Sequence, residues 1–228
     1  AELAAEFGTP LYILDENVIR NNCRTYVNAM QECFVPQSAP LYASKALCFK
    51  GIYPVVQSEG LCVDVVSPGE IYTALAAGFP ASKMFFHGTN KTDADIEYGV
   101  KSGIGHFVVD NLNELKVLNR VAADEGVTQK VLLRLTCGLD PHTLEAINNG
   151  KVDSQFGVPI DTGQADGFVK AALECSNIEV AGFHSHVGSQ IFESDSFNRQ
   201  VEILISFASK VRDELGYTIK VLNIGGGF

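Results

Sequence analysis

Leu41-Tyr42-Ala43-Ser44-Lys45-Ala46-Leu47 sets a lysine at the end of a short apolar stretch, among residues otherwise suited to a core. Two readings of that lysine are open. It is a strand-end residue whose stem lies along apolar surface while its ammonium reaches water. Alternatively it sits in partly desolvated surroundings, which disfavour the ammonium form and leave an amine able to form a Schiff base with an aldehyde. The pattern of the flanking chain decides the fold, and the fold bears on the choice.

Moving outward, apolar runs suited to strands recur at 41–44, 61–67, 84–87, 106–110, 130–135, 180–186 and 219–224. The first five begin 20, 23, 22 and 24 residues apart, which is room for one strand, one helix and two loops. Helical patterns fall near 50–58, 69–77, 92–102, 111–125, 161–175 and 195–215. In the last of these Phe197, Val201, Leu204, Ala208, Val211 and Leu215 share one face. Ahead of them, Thr9 to Asp15 reads as extended because Pro10 disfavours helix in the residue before it. Asp15 then caps a helix through about Phe34. Strands that alternate with helices and carry Val, Ile, Leu and Phe predict an α/β fold with a parallel sheet. The sustained period favours a (β/α)8 TIM-type barrel over an open, doubly wound sheet. Seven strands are countable where such a barrel needs eight, so one barrel domain over 1–228 is expected, apparently truncated after the seventh strand.

Composition narrows the function. Hydrophobic residues make up 46% and charged residues 19%, a balance that suits a soluble enzyme with a substantial core. A net charge of −10 argues against nucleic acid as a partner, and the apolar runs are too short for a membrane span. Cys23, Cys33, Cys48, Cys62, Cys137 and Cys175 are scattered without a C-x-x-C pair, as free thiols of a reducing cytoplasm would be.

If the strands are parallel, their C-terminal ends meet on one face, where the active sites of such barrels lie. The residues there are Lys45, Asp64 with Ser67, His87, Asp110, Arg134, His184 with His186 and Ser189, and Gly225-Gly226-Gly227. Singly, each has a plain explanation; Asp64 and Asp110 could cap the following helices. A glycine triplet after a strand lets backbone amides approach an anion, and Ser189 is a second phosphate donor. His184-x-His186 puts two rings on one strand face. They are either a metal pair completed by His87 and Asp64, or include one ring that packs flat on a planar cofactor. The metal reading, a barrel hydrolase, leaves Lys45 and the triplet unexplained. A Schiff-base lysine, a phosphate cradle and a flat stacking ring together fit pyridoxal 5'-phosphate (PLP). The insert from Thr136 to about Pro159, rich in turn formers, is expected on the same face.

Several pieces carry a family resemblance: Thr-Pro-Leu-Tyr at 9–12, Tyr-Ala-Ser-Lys-Ala at 42–46, Asp-Val-Val-Ser-Pro-Gly-Glu at 64–70 and His-Gly-Thr-Asn-Lys-Thr at 87–92. Val-Asp-Asn at 109–111, Phe-His-Ser-His-Val-Gly-Ser-Gln at 183–190 and the triplet at 225–227 complete the set. The chain resembles the fold type III PLP-dependent decarboxylases, whose barrel is of the alanine racemase-like kind. Within them it is most similar to the branch acting on meso-2,6-diaminopimelate to give L-lysine, rather than the ornithine, arginine or carboxynorspermidine branches.

The resemblance implies that Lys45 carries PLP, that His186 stacks on its ring, and that Ser189 and Gly225 to Gly227 hold its phosphate. Asp64, Glu70 and Arg134 would shape the ring's surroundings. It also implies an amino-acid substrate and a homodimer for the full-length protein. Gln155 stands where relatives usually carry lysine. The family's Glu-Pro-Gly-Arg segment and β-rich C-terminal domain do not occur in these residues, so the chain is expected to be a barrel fragment, inactive alone. A single-barrel PLP-carrier protein is the non-catalytic alternative; it lacks the His-x-His-x-Gly-Ser-Gln segment.

Overall fold

Asp15 starts the first long helix as the sequence anticipates, its carboxylate accepting the Asn17 and Val18 amides at 2.9 and 3.2 Å. The computed structural model in which this is seen describes residues 1–139 and 156–227. A short helix α1 (Glu2–Phe7), not foreseen, precedes α2 (Glu16–Cys33). Arg20 and Arg24 of α2 share the Glu59 carboxylate at 2.8 and 2.7 Å and so tie α2 to the end of the next helix.

From there strands and helices alternate: β1 (Leu41–Ala43), α3 (Ile52–Ser58), β2 (Cys62–Val65), α4 (Pro68–Ala76), β3 (Met84–Phe86), α5 (Asp93–Lys101), β4 (His106–Val109) and α6 (Leu112–Asp124). β5 (Gln129–Thr136), β6 (Val158–Pro159), α7 (Gln164–Leu173), β7 (Ile178–His184), α8 (Asp195–Leu215) and β8 (Val221–Asn223) follow. Every strand pairing is parallel, in the order β1-β2-β3-β4-β5-β7-β8. The two-residue β6, inside the insert, adds only to the end of β5. β1 and β8 are the two edges of the path, and no pairing joins them among the described residues. The architecture is a (β/α) barrel that is open between those edges.

Alternation along the strands builds two apolar layers. Val63, Val65, Phe86, Phe107, Val109, Val131, Leu133 and Phe183 face the helices in the main core. Val108, Leu132 and Ala181, with Phe85 and Val221 against them, fill the barrel interior. Central strands buried on both faces explain the unbroken apolar runs that the sequence shows. Helix N-termini sit at the C-terminal ends of the strands and are capped by residues just beyond them. Ser67 accepts the Glu70 amide, Thr92 the Asp95 amide and Asn111 the Glu114 amide. Asp64 and Asp110, the alternative caps, stop short of the helix starts and are left to make other contacts.

Candidate active site

The strand ends gather Lys45, Asp64, His87, Asp110, Arg134 and His184 at one end of the sheet. Lys45 is not the last strand residue: it lies in a 3-10 turn, Ser44–Ala46, that follows β1. It is exposed, whereas Ser44 beside it is fully buried. The expectation of desolvated surroundings is therefore corrected. β1 is an edge strand, and residues 45–50 after it turn outward into solvent. Among the described residues Lys45 makes no hydrogen bond or ion pair, so its amine is uncommitted.

On the neighbouring strands the polar groups pair. His87 Nε2 lies 2.9 Å from Asp64 Oδ1, without the alignment of a hydrogen bond. The His87 ring meets His184 edge-on at 4.8 Å. Burial, with His87 and Arg134 beside it, pushes His184 well below the ordinary histidine range, so it is a neutral wall. Glu70 Oε2 accepts the Val66 amide at 2.7 Å, which spends part of that carboxylate on the start of α4. Burial raises its pKa, against the pull of that bond and of nearby Lys45.

Arg134 is almost fully buried and sits between two partners. Its Nη1 is 3.4 Å from Asp110 Oδ1, and its guanidinium lies over the Phe156 ring at 4.4 Å. Asp110 Oδ2 in turn accepts the Gly157 amide at 3.2 Å. The pair thus pins the end of the insert, residues 156–157, against the strand ends. Gln155 and the rest of the insert through 140 lie outside the described residues.

His186 follows β7, and its partner is the glycine triplet rather than His184. The Gly226 amide donates to His186 Nδ1 at 3.3 Å, and the Gly225 amide donates to Asn223 Oδ1 at 2.8 Å. Gly225 has φ 74°, and a Cβ there would meet His186 Nδ1 and Ser185 O, each at 2.8 Å. Gly227 has φ 111°, and its Cβ would fall 2.0 Å from Gly188 O. The Ile191 amide donates to Gly227 O at 2.8 Å. The triplet is therefore pressed against 185–191, and only residues without a side chain at 225 and 227 permit it. Two of its amides are already used inside the protein; that of Gly227 has no partner among the described residues, and a Cβ on Gly227 would fall 3.3 Å from the Ser189 Cα.

This arrangement fits PLP: an uncommitted lysine amine, a flat imidazole, a backbone amide without a partner among the described residues, and a loop that only glycine can form. The metal alternative finds no support in geometry, since among the described residues no three His, Cys, Asp or Glu side chains come together as a ligand set.

Sequence reasoning missed two features. Lys91 is the buried lysine of this face. Its Nζ donates to Glu114 Oε1 at 2.6 Å, Gly88 O at 2.8 Å and Val108 O at 2.9 Å, and burial lowers its pKa. Asn223 is the other, and its signal was local: an asparagine two residues before a glycine accepts that glycine's amide in an Asx turn.

Comparison with known proteins points to the same cofactor. Residues 17–228 match the family described as "Pyridoxal-dependent decarboxylase, pyridoxal binding domain". The diaminopimelate decarboxylase of Bacillus methanolicus is 41% identical over 227 residues, which are 100% of this chain and 52% of that protein. The crystal structure of diaminopimelate decarboxylase from M. jannaschii in co-complex with L-lysine superposes with a TM-score of 0.89 at 33% identity, over 100% of this chain and 53% of that one. Lysine/ornithine decarboxylase from Vibrio vulnificus, complexed with putrescine, gives a TM-score of 0.82 at 29% identity, over 100% of this chain and 55% of that one. The chain spans about half the length of the relatives it matches.

Proposed function

The chain belongs to the pyridoxal-dependent decarboxylases, as their pyridoxal-binding domain, and from that premise we propose that it serves the decarboxylation of meso-2,6-diaminopimelate to L-lysine. The observation that carries this reading is the joining of His186 to the glycine triplet at the sheet end where Lys45 offers a free amine. When bound, PLP supplies a sink for the electron pair released as carbon dioxide leaves.

The protein's own residues have the following roles in this proposal. Lys45 would hold the cofactor through its amine. His186 would pack against the cofactor and exclude water from that side. The Gly227 amide and Ser189 would bind the phosphate, while Asn223 and His186 hold Gly225 and Gly226 so that the loop keeps its shape. Asp64, buttressed by His87, and Glu70 border the ring. Arg134 acts through the insert it pins.

The protein would work as a cytoplasmic homodimer on a free amino acid. The diaminopimelate choice follows the relatives' names, and the Vibrio structure makes lysine or ornithine the natural competitors. Carbon dioxide release by the full-length protein with PLP tests this across meso-diaminopimelate, lysine, ornithine and arginine. Preference for diaminopimelate by kcat/KM is expected; preference for ornithine or lysine overturns the substrate assignment.

A further inference from the structure

The backbone of the glycine triplet touches the one imidazole that would face the cofactor, and that contact has a chemical direction. A backbone amide can only donate, so the Gly226 N–H, 3.3 Å from His186 Nδ1, requires a lone pair on that nitrogen. Turning the ring over would set carbon Cδ2 in its place and leave the amide without an acceptor. We infer that the Gly226 amide is a positioning group that holds His186 as the neutral, Nε2-protonated tautomer and thereby couples the phosphate-binding loop to the ring-stacking histidine.

The surrounding structure keeps this contact in register. Gly225 is fixed from one side by Asn223 Oδ1 and from the other by Ser185 O and the His186 ring, where no Cβ fits. Gly227 is fixed by the Ile191 amide on its carbonyl. Gly226 lies between two pinned neighbours, so its N–H has little freedom to turn from the imidazole. Space does not demand glycine at 226, because a Cβ there meets nothing within 4 Å. The Gly226 contribution is thus its amide.

The consequence is electrostatic. A protonated His186 would place Nδ1–H against the amide N–H, two donors facing one another, and set a cation on the face that would meet the cofactor. The neutral tautomer avoids both. The inference rests on the PLP reading only for this last consequence; the tautomer itself is a property of the protein without cofactor.

Long-range 1H–15N correlation spectra of histidine-labelled protein, recorded without PLP, test it. His186, assigned by comparison with His186→Gln, is expected to show an unprotonated Nδ1 and a protonated Nε2 at neutral pH. Gly226→Ala keeps the amide and should leave that signature in place. Gly226→Pro removes it, and the two nitrogen shifts should move toward a common averaged value. A protonated Nδ1, or averaged shifts in the unaltered protein, overturns the inference even if Gly226→Pro does not fold. An unchanged signature in folded Gly226→Pro overturns it as well. A failure of the PLP reading would show separately, as no cofactor bound at Lys45.

Discussion

Asp110→Ala isolates the contact that pins the insert to the strand ends. Arg134 and Asp110 have side chains only 9% and 5% exposed, so removing the carboxylate leaves a buried guanidinium without its counter-charge. Breaking a buried pair in this way typically costs about 3–5 kcal/mol. Two features of the site set the value at the lower end. The 3.4 Å separation is long for a charge-assisted bond, and the Phe156 ring continues to cover the guanidinium at 4.4 Å. The Gly157 amide also loses its acceptor, a further ~1 kcal/mol if water does not replace it. The sum is about 3–4 kcal/mol, a large share of the stability of an ordinary domain.

Urea denaturation of Asp110→Ala, Arg134→Met and the double variant measures it. The double variant is expected to be more stable than the summed single losses by at least ~1.5 kcal/mol, since it leaves no orphaned charge. Asp110→Asn, which keeps an acceptor for Gly157, should fall between wild type and Asp110→Ala. A loss below ~1 kcal/mol for Asp110→Ala, or additivity within ~0.5 kcal/mol, would refute the reasoning.

Two further predictions concern the glycine loop. Burial, aided by neighbouring Arg134, Lys45 and His87 and opposed by Asp64, lowers the His186 pKa from 6.5 to about 4. A depressed pKa means that the unfolded chain binds the proton first, so the contribution is present above pH 6.5 and lost as pH falls toward 4. Denaturation at pH 7 and pH 4.5 should differ by roughly 2 kcal/mol through this group, and the difference should shrink in His186→Gln. An unchanged pH dependence in that variant would contradict the assignment. The second prediction sorts the glycines. Gly225→Ala and Gly227→Ala force a Cβ onto backbone or ring atoms at positive φ and should each destabilise by at least ~1–2 kcal/mol, whereas Gly226→Ala should be close to neutral. Equal effects at all three positions would mean that the loop is not pressed against 185–191.

Much of the fold was legible because the chain repeats one physical unit. An apolar strand followed by an amphipathic helix every twenty-odd residues has few ways to bury itself other than as parallel strands under helices. The N-terminal caps were less secure. Asp64 and Asp110 are good capping residues, but Ser67 and Asn111 stand nearer the helix starts and took the role. The least legible question was which lysine is buried. Lys45 and Lys91 both follow apolar strands, and sequence pattern drew attention to the burial of the first. Lys91 is the desolvated one because Glu114, 23 positions away on another helix, is there to receive it. Among the described residues Lys45 has no such partner, and it opens to solvent. Partnership across loops is a tertiary property that local pattern does not carry. The likeness in motif at 42–46 and 183–190 pointed to Lys45 in spite of this, since it reports chemistry rather than burial.

The central claim is that Lys45 anchors PLP. The direct measurement is borohydride reduction of the protein equilibrated with PLP, followed by peptide mass mapping. One pyridoxyl group on Lys45, absent in Lys45→Ala, is the predicted result. Modification of other lysines with Lys45 left free would contradict the account.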